Sequence, residues 1–333
     1  MPQFKLYAIP KLHCPFIPYE NALLAEKVET HTRLWLRKFS LIKSPEHEQF
    51  YTRQKFASMI VSSYPFATEE ALFVWCDLNT YLFLLDDDLD ETTMINSMAA
   101  MQHLADKYFS ILTEGLSNDC NDNMLIAFSD IWKRLSSIGT ATWLTIFIEN
   151  IRDMFLGGKW QLSTALAGDA PTLKSYIEMR QYLGAAHLAT DSMPLMAACQ
   201  LPGQVKSDQI YKNMIINARN VICYSNDLFS LGKELEQSTS GADFNLVTVL
   251  MKFYNLTIEN GITAAAKFHD DEMNLFIANS LELMNRYPAF REELHKQIMA
   301  LKYLISGNVF WSTKISTRYP HIYDNVPRGI IQS

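Results

Sequence analysis

The sequence predicts an all-α protein, and three features of its 333 residues lead to that class. Glycine occurs only 12 times, about half of its usual frequency. No proline occurs between Pro65 and Pro171. Residues that favour helices, among them Leu, Met, Ala, Glu and Lys, are plentiful, whereas the residues that punctuate turns are scarce. Strands that alternate with helices are therefore hard to place anywhere in the chain.

Most of the chain is expected to be helical. Residues 1–20 are broken by Pro10, Pro15 and Pro18 and are expected to form an extended arm. Residues 21–39 are expected to form a first amphipathic helix. We find no internal repeat and no linker, so residues 1–333 are expected to form one helical domain. Residues 236–243 form a polar loop that fits a mobile lid and an ordinary surface turn equally well. Further helices are expected near 51–63, 69–86, 92–114, 123–136, 140–165, 172–200, 208–236, 244–258, 261–285 and 290–312.

Composition argues against several classes of protein. A net charge of −7 and the lack of a basic run argue against nucleic acid as a partner. The five cysteines are scattered without C-x-x-C spacing, which indicates neither a disulfide framework nor a zinc site, and a reducing compartment is expected. No stretch reaches the ~18 uninterrupted apolar residues of a membrane span, and the proline-broken start does not fit a signal peptide. The sequence therefore predicts a cytoplasmic protein.

An acidic segment directly follows a strongly apolar one. Residues 73–85, FVWCDLNTYLFLL, are apolar nearly all the way round, which indicates a helix buried on most of its surface. Residues 86–91, DDDLDE, place five carboxylates at a helix end that disfavours them by about 0.3–1 kcal/mol each, so a positive partner is expected. Asp86 and Asp90 share one face, with Asp87 adjacent, and could hold Mg²⁺. A solvated acid cluster, or a cap of the next helix, fits this pattern equally well.

A second polar pattern lies in residues 217–236, NARNVICYSNDLFSLGKELE. Asn226, Ser230 and Glu234 are spaced four apart, so their side-chain oxygens line one stripe of a helix, with a drift of about 40° per step. All three offer oxygen ligands to a hard cation. Taken alone, such a triplet favours a stripe that faces water. The residues around it leave no clear opposite polar face, which indicates that the stripe points into an internal cavity.

Together, LLDDDLDE and NDLFSLGKE resemble the aspartate-rich motif and the N-D-x-x-S-x-x-K-E motif of class I terpene synthases, the microbial single-domain terpene cyclases. In YIEMRQYLGA, Arg180 stands four residues before Gly184, where that family has its diphosphate-sensing arginine. GNVFWSTKISTRYP ends in Arg318 and Tyr319, which resemble the family's C-terminal R-Y pair. Residues 9–39 are similar to its N-terminal region, so the resemblance spans nearly the whole chain.

One departure from the family pattern is Leu183, which is apolar where related cyclases often have a polar link between the arginine and the Gly184 carbonyl. The triple acid also allows two registers. We prefer the register in which Phe83 stands three residues before the first metal acid, as aromatic residues do in relatives. That register assigns the metal to Asp86, Asp87 and Asp90. Asp88 and Glu91 are then expected either to contact the metal ligands from behind or to face solvent.

The resemblance implies a helical bundle around an apolar pocket, with the two metal motifs facing each other across its mouth. It implies an acyclic prenyl diphosphate as the bound partner and three Mg²⁺ ions, for which Mn²⁺ can substitute. Arg180 and Gly184 are implied in ionisation of the substrate, and Phe83 and Trp311 are candidates to shield the carbocation. The implied metal ligands are Asp86, Asp87, Asp90, Asn226, Ser230 and Glu234, and the implied diphosphate ligands are Arg180, Lys233, Arg318 and Tyr319.

The implied activity is that of a carbon–oxygen lyase that ionises a diphosphate and cyclises the cation. We expect farnesyl diphosphate, because Phe83, Trp311 and the numerous methionines suggest a pocket of moderate volume. A diterpene cyclase acting on geranylgeranyl diphosphate stays open. So do a chain-elongating prenyltransferase, disfavoured by the Asn226 motif in place of a second aspartate-rich motif, and a non-catalytic helical binding protein. The sequence does not decide the oligomeric state, and a homodimer stays open.

Overall fold

The computed structural model describes residues 6–91, 97–237, 241–320 and 322–324. Among these, the side chains of 88–91, 237, 241–242 and 322–324 lie outside the described part. The described chain consists of helices and one short pair of strands, β1 (Tyr7–Ile9) and β2 (Ile322–Asp324), which confirms the all-α class. The helices are α1 (Ala22–Lys38), α2 (Pro45–Gln54), α3 (Phe56–Ser63), α4 (Glu69–Glu91), α5 (Met98–Thr113), α6 (Asn123–Ile138), α7 (Ala141–Leu166), α8 (Leu173–Leu183), α9 (Ala186–Asp191), α10 (Met193–Met196), α11 (Gly203–Lys206), α12 (Gln209–Gln237), α13 (Leu246–Tyr254), α14 (Ile258–Arg286) and α15 (Arg291–Phe310).

Side-chain caps set where many of the helices begin. The side-chain oxygens of Ser97, Asp122, Thr140 and Thr172 each accept a backbone N–H of the first turn that follows, in α5, α6, α7 and α8. Such caps satisfy donors that have no partner within the helix. The cap at Ser97 starts α5 at Met98, later than the helix expected near 92–114, whose residues 92–96 lie outside the described part.

The strongly apolar helix is α4, and it lies in the middle of the packed helices. It contacts α1, α3 and α6. Its Tyr81 is fully buried, with its ring centroid 6.5 Å from that of Tyr108 in α5 and 5.8 Å from that of Phe128 in α6. Burial of rings of this size contributes much of the apolar stabilisation of a core. α4 continues to Glu91, so the acidic segment forms the last turns of this buried helix.

The other helices enclose the remaining sides of the bundle. α12 and α14 are the two longest helices and pack along each other, while α15 packs on α3 and α7 on α8. None of the described helices combines the length and the apolar composition that a membrane crossing requires.

The helix expected over 172–200 is broken in two places. α8 ends at Leu183, Gly184 is its C-cap, and Ala185 has a φ of 52°, in the left-handed region that ends a helix. The second break precedes Pro194, at the start of α10, where proline fits the first turn. The helix expected over 51–63 is likewise divided, at Lys55 with a φ of 58°. None of these breaks lies in a proline-rich or glycine-rich loop, so the sequence pattern did not mark them as helix ends.

The pairing of β1 with β2 joins the arm to the far end of the chain. The strands are parallel, with Tyr7 opposite Ile322 and Ile9 opposite Asp324. A pairing over more than 300 positions leaves no local pattern, and the sequence did not predict it. It places the arm beside the segment that follows Arg318 and Tyr319.

Candidate active site

The acidic end of α4 lies beside basic side chains from two other parts of the chain, Lys233 and Arg318. Asp86, the first residue of the acidic segment, is exposed to water. Protein atoms around its carboxylate nevertheless raise the pKa of Asp86, and the positive charges of Arg318 and Lys233 oppose this rise.

Asp87 accepts hydrogen bonds from three side chains that belong to distant parts of the chain. The Tyr51 hydroxyl, in α2, donates to Oδ2 at 2.8 Å, and Lys233 Nζ, in α12, lies 3.2 Å from Oδ1. The Arg318 guanidinium spans both carboxylate oxygens, at 3.0 and 3.3 Å. Burial alone would raise the pKa of Asp87, but these three partners hold it below its usual range. Two residues predicted to bind diphosphate therefore pair here with a predicted metal ligand.

The predicted stripe on α12 forms, and each of its members has a partner. Asn226 Oδ1 accepts a hydrogen bond from Arg180 Nη2 at 3.0 Å, and its amide nitrogen donates to the Tyr319 hydroxyl at 2.9 Å. One turn on, the Ser230 hydroxyl donates to Glu234 Oε1 at 2.5 Å. The stripe thus connects the predicted metal ligands of α12 directly to two predicted diphosphate ligands.

Glu234 is a carboxylate held between two donors. Ser230 donates to Oε1, and the Asn245 amide donates to Oε2 at 2.9 Å. Burial, followed by the negative charge of Asp227, raises the pKa of Glu234 to about 7. A nearby cation favours the ionised form of such a group. Glu234 is therefore a carboxylate whose charge would be stabilised by a bound metal ion.

Arg180 is anchored by a buried acid to which the sequence analysis gave no role. Its Nε and Nη2 atoms lie 2.8 and 2.7 Å from Asp227 Oδ1, and the Tyr176 hydroxyl donates to Oδ2 at 2.5 Å. The backbone N–H of Leu246, at the start of α13, also donates to Oδ2, at 3.2 Å. A buried ion pair is stable only when its polar atoms are hydrogen-bonded, and these contacts meet that condition. Leu183, the apolar departure, has no side-chain polar atom with which to join this network.

Gly184 ends α8 directly beside Arg180. A Cβ atom at this position would collide with Arg180 Nη1. The absence of a side chain at Gly184 therefore makes room for the guanidinium, and a larger residue would displace it. The position of the Arg180 guanidinium therefore depends on the glycine at position 184.

Aromatic rings pack beside Arg318. Its guanidinium lies 4.5 Å from the centroid of the Phe83 ring, a cation–π contact worth about 0.5–2 kcal/mol. Phe83 stacks on Phe56 at 4.4 Å, and the Trp311 ring lies 6.2 Å from Phe83. Trp311 is fully buried, and its Nε1 donates to the Gln54 carbonyl at 2.7 Å. Phe83 thus holds a cation here, while Trp311 supports its ring from within the core.

The two predicted motifs come together, and their donors suit a hard divalent cation. Lys233 Nζ of the α12 motif reaches Asp87 of the α4 motif at 3.2 Å. Across the described side chains, no three His, Cys, Asp or Glu residues converge on one point. The remaining donors are amide and hydroxyl oxygens, which Mg²⁺ accepts together with water and substrate oxygens. The side chain of Asp90, also predicted as a ligand, lies outside the described residues, as do those of Asp88 and Glu91.

Sequence reasoning missed four residues that hold the site together, namely Tyr51, Tyr176, Asp227 and Asn245. Asp227 offered a signal, because it is an acid next to Asn226 in an otherwise apolar part of α12. Tyr51 and Tyr176 offered none, because each contacts its partner over 36 positions or more. Asn245 lies 11 residues from Glu234, too far for a helical spacing to relate them.

Comparison with known proteins places this site in a family. The family model described as terpene synthase family 2, C-terminal metal binding, matches residues 77–274, more than half of the chain and a span that contains both motifs. A (+)-T-muurolol synthase of Roseiflexus castenholzii, named as cyclising (2E,6E)-farnesyl diphosphate, is 27% identical over 306 residues, which cover 91% of this chain and 92% of that protein. A germacrene A synthase of Nostoc punctiforme is 24% identical over 314 residues, 94% of this chain and 95% of the relative.

A solved structure shows the same fold. The crystal structure of a variant of the SVS_A2 protein, from ancestral sequence reconstruction, aligns with a TM-score of 0.81 at 22% identity. The alignment covers 98% of this chain and 92% of that one.

Proposed function

Because the chain belongs to terpene synthase family 2, a family of class I terpene synthases, we propose that it converts farnesyl diphosphate to a cyclic sesquiterpene and releases diphosphate. The observation that carries this proposal is the meeting of the α4 acids with the α12 motif, where Lys233 pairs with Asp87. The named farnesyl diphosphate chemistry of the relative from Roseiflexus castenholzii supports the fifteen-carbon substrate. We further propose that residues 1–333 form one catalytic domain.

The proposed metal is Mg²⁺, in three ions, with Mn²⁺ as a substitute. Asp86, Asp87 and Asp90 would hold it from α4, and the stripe of Asn226, Ser230 and Glu234 from α12. The family is metal-binding, and the oxygen donors of both groups fit a hard cation. Bound Mg²⁺ would supply positive charge that stabilises the departing diphosphate.

Arg318 and Lys233 would change partners during the reaction. Both lie against Asp87, at 3.0 and 3.2 Å. If Asp87 held Mg²⁺, these two cations would be available to the diphosphate oxygens. Arg180, held by Asp227, and the Tyr319 hydroxyl would add further donors, since both contact Asn226 of the α12 stripe. Charges prepared in this way favour the state in which negative charge develops on the leaving group.

The reaction then breaks one bond and forms others within the pocket. The bond between C1 of the substrate and the diphosphate oxygen breaks, its electron pair leaves with diphosphate, and an allylic cation remains. A distal double bond supplies the electron pair for ring closure, and the final cation loses a proton or captures water. Phe83 and Trp311 are proposed to shield the cation, since aromatic faces stabilise positive charge without reacting as water does.

A substrate series tests the proposed function. The purified protein is incubated with Mg²⁺ and the ten-, fifteen-, twenty- and twenty-five-carbon diphosphates, and extracts are analysed by gas chromatography with mass detection. A cyclic fifteen-carbon product is expected. Cyclic product from the twenty-carbon substrate alone would overturn the sesquiterpene assignment. Longer linear diphosphates formed with added isopentenyl diphosphate would establish a prenyltransferase, and no product with any of them would favour the binding protein.

Loss of a metal ligand should lower turnover by orders of magnitude without loss of the fold. Glu234→Gln is the cleaner variant, because it keeps the shape of the side chain, and its amide oxygen can accept from Asn245 while its amide nitrogen donates to the Ser230 hydroxyl oxygen. Asp87→Asn should act in the same direction, although it also removes the partner of Arg318. Glu236→Gln, the same exchange at an exposed position of α12, is the control and should keep wild-type turnover. Wild-type turnover in both ligand variants would remove the metal assignment.

A further inference from the structure

Asn245 is a fully buried polar residue that belongs to none of the motifs. It is the N-cap of α13, where its Oδ1 accepts the backbone N–H of Val247 at 2.9 Å. This is an ordinary capping contact, and it uses only the oxygen of the amide. The amide nitrogen is left with two hydrogens that point away from the cap.

The amide nitrogen of Asn245 donates to the site. It lies 2.9 Å from Glu234 Oε2 and 2.8 Å from the backbone carbonyl of Asp227. With the Ser230 hydroxyl on Oε1, each carboxylate oxygen of Glu234 then has one donor within the protein. Each oxygen keeps a further lone pair, so the carboxylate can still bind a cation.

The chemistry of the contact requires an amide and excludes a carboxylate. Asp227 Oδ1 and Oδ2 already place negative charge near Glu234, and their effect adds to that of burial. A donor opposite Oε2 offsets this repulsion, whereas an acceptor at the same position would increase it. Asparagine alone offers a cap acceptor on one side and two donors on the other in this geometry.

We propose that Asn245 is a positioning residue for the metal site, which fixes the Glu234 carboxylate for cation binding and ties it to the start of α13. The inference rests on the proposed function, because it takes Glu234 as a metal ligand. Residues that orient a ligand from behind in this way change metal affinity by about 10–100-fold when replaced. The fixed start of α13 also holds the Leu246 N–H against Asp227, so the same segment supports the anchor of Arg180.

Two variants separate this role from capping. Asn245→Asp and Asn245→Ser both keep a good cap acceptor for Val247. Aspartate loses both donors toward Glu234 and Asp227, and serine leaves one hydroxyl hydrogen on a shorter side chain in place of the two amide hydrogens. The matched control is Asn21→Asp, the same exchange at the N-cap of α1, where Asn21 accepts the Leu24 N–H at 3.0 Å. Melting is followed while Mg²⁺ is titrated at fixed inorganic diphosphate, and the midpoint of the rise in Tm reports metal affinity.

In both Asn245 variants the Mg²⁺ midpoint should rise about 10–100-fold, while the control stays at the wild-type value. The Mg²⁺ concentration for half-maximal turnover should rise in parallel. The metal-free Tm should fall further in Asn245→Asp than in Asn245→Ser, because a buried carboxylate would face Glu234 and the Asp227 carbonyl. Unchanged midpoints in both variants would overturn the inference. Failure of both variants to fold would also overturn it, since Asn245 would then be needed for folding and not for metal binding. Absence of any Mg²⁺ and diphosphate effect on wild type and Glu234→Gln alike would instead count against the proposed function itself.

Discussion

Asp87 shows how a charge near the end of a buried helix is stabilised. Its carboxylate stands where charge is costly, and Arg318, Lys233 and Tyr51 surround it. The positive partner expected from the sequence was a metal ion. Here two basic side chains pair with the acid, and they are residues that the resemblance assigns to diphosphate. The acid is therefore stabilised by groups that are themselves proposed to bind diphosphate.

His187 provides a prediction at the same scale. Its ring is buried, with Nδ1 3.0 Å from the Gln181 carbonyl and Nε2 2.8 Å from the Asn150 carbonyl. A neutral imidazole can donate to only one of these acceptors. Burial lowers the pKa of His187, the two carbonyl contacts oppose this, and the remaining groups that act on it are Arg219 and Asp191. The folded protein therefore takes up this proton less readily than the unfolded chain.

The sign of the pH dependence follows from that difference. Below about pH 6.5, the ordinary pKa of histidine, the unfolded chain binds the proton first, so stability falls as the pH drops toward the lowered pKa of His187. We expect His187→Gln to lose less Tm than the wild type between pH 7.5 and 5.5. The control, His103→Gln at an exposed position of α5, should keep the wild-type slope. An equal slope in all three proteins would show that His187 does not contribute.

At the scale of elements, α7 and α8 approach each other closely beside the Arg180 anchor. A Cβ atom on Gly157 of α7 would lie 2.7 Å from the backbone nitrogen of Leu183, in the last turn of α8. The neighbouring Gly158 has only the flexible Met101 side chain nearby, at 3.5 Å. Two adjacent glycines of one helix thus differ in whether a methyl group fits.

We expect opposite effects from alanine at these two positions. Gly158→Ala should raise the free energy of unfolding by about 0.5–1 kcal/mol, because alanine is the better helix former. Gly157→Ala should lower it, since overpacking costs about 1–3 kcal/mol, and should reduce turnover by displacing α8 with Arg180. Urea denaturation and steady-state turnover measure both. Equal stability and turnover of the two variants would show that α7 and α8 can move apart to admit the methyl group at no cost, which would contradict the prediction.

The elements also show which features a sequence can reveal. The stripe of Asn226, Ser230 and Glu234 was predicted because helical periodicity encodes it within one element, and α12 confirms the helix. The break after Leu183 was not predicted, because a single glycine such as Gly184 is tolerated within a helical pattern. Only the structure shows that the Arg180 guanidinium occupies the space of its missing side chain. The partners of these elements depend on contacts over tens of residues, for which a single sequence has no local pattern. The roles of the site residues remain predictions.

At the scale of the whole molecule, the two ends of the chain meet beside the site. β1 pairs with β2, which begins three residues after Tyr319. The arm is held independently by His13, whose backbone N–H donates to Asp270 at 2.8 Å, and by Phe16, which packs on Phe276 of α14. The N-terminal strand can therefore restrain the C-terminal segment that carries Arg318 and Tyr319, because the arm itself is fastened to the bundle.

This arrangement predicts that removal of β1 impairs the site even where the chain still folds. A chain that starts at Pro10 keeps the contacts of His13 and Phe16 but leaves β2 without its partner. If substrate binding must then order the segment behind Arg318, each residue costs about 1–2 kcal/mol, so kcat/KM should fall about tenfold or more. The Tm should fall as well, because the truncation removes Ile9, which is fully buried in the apolar core, and Tyr7, which packs against that core. Turnover is therefore measured at a temperature at which the truncated chain is folded. The control is a chain that starts at Leu6, which retains β1 and should keep the wild-type kcat/KM. A truncated protein with unchanged kcat/KM would show that Arg318 and Tyr319 are held in place by the bundle alone.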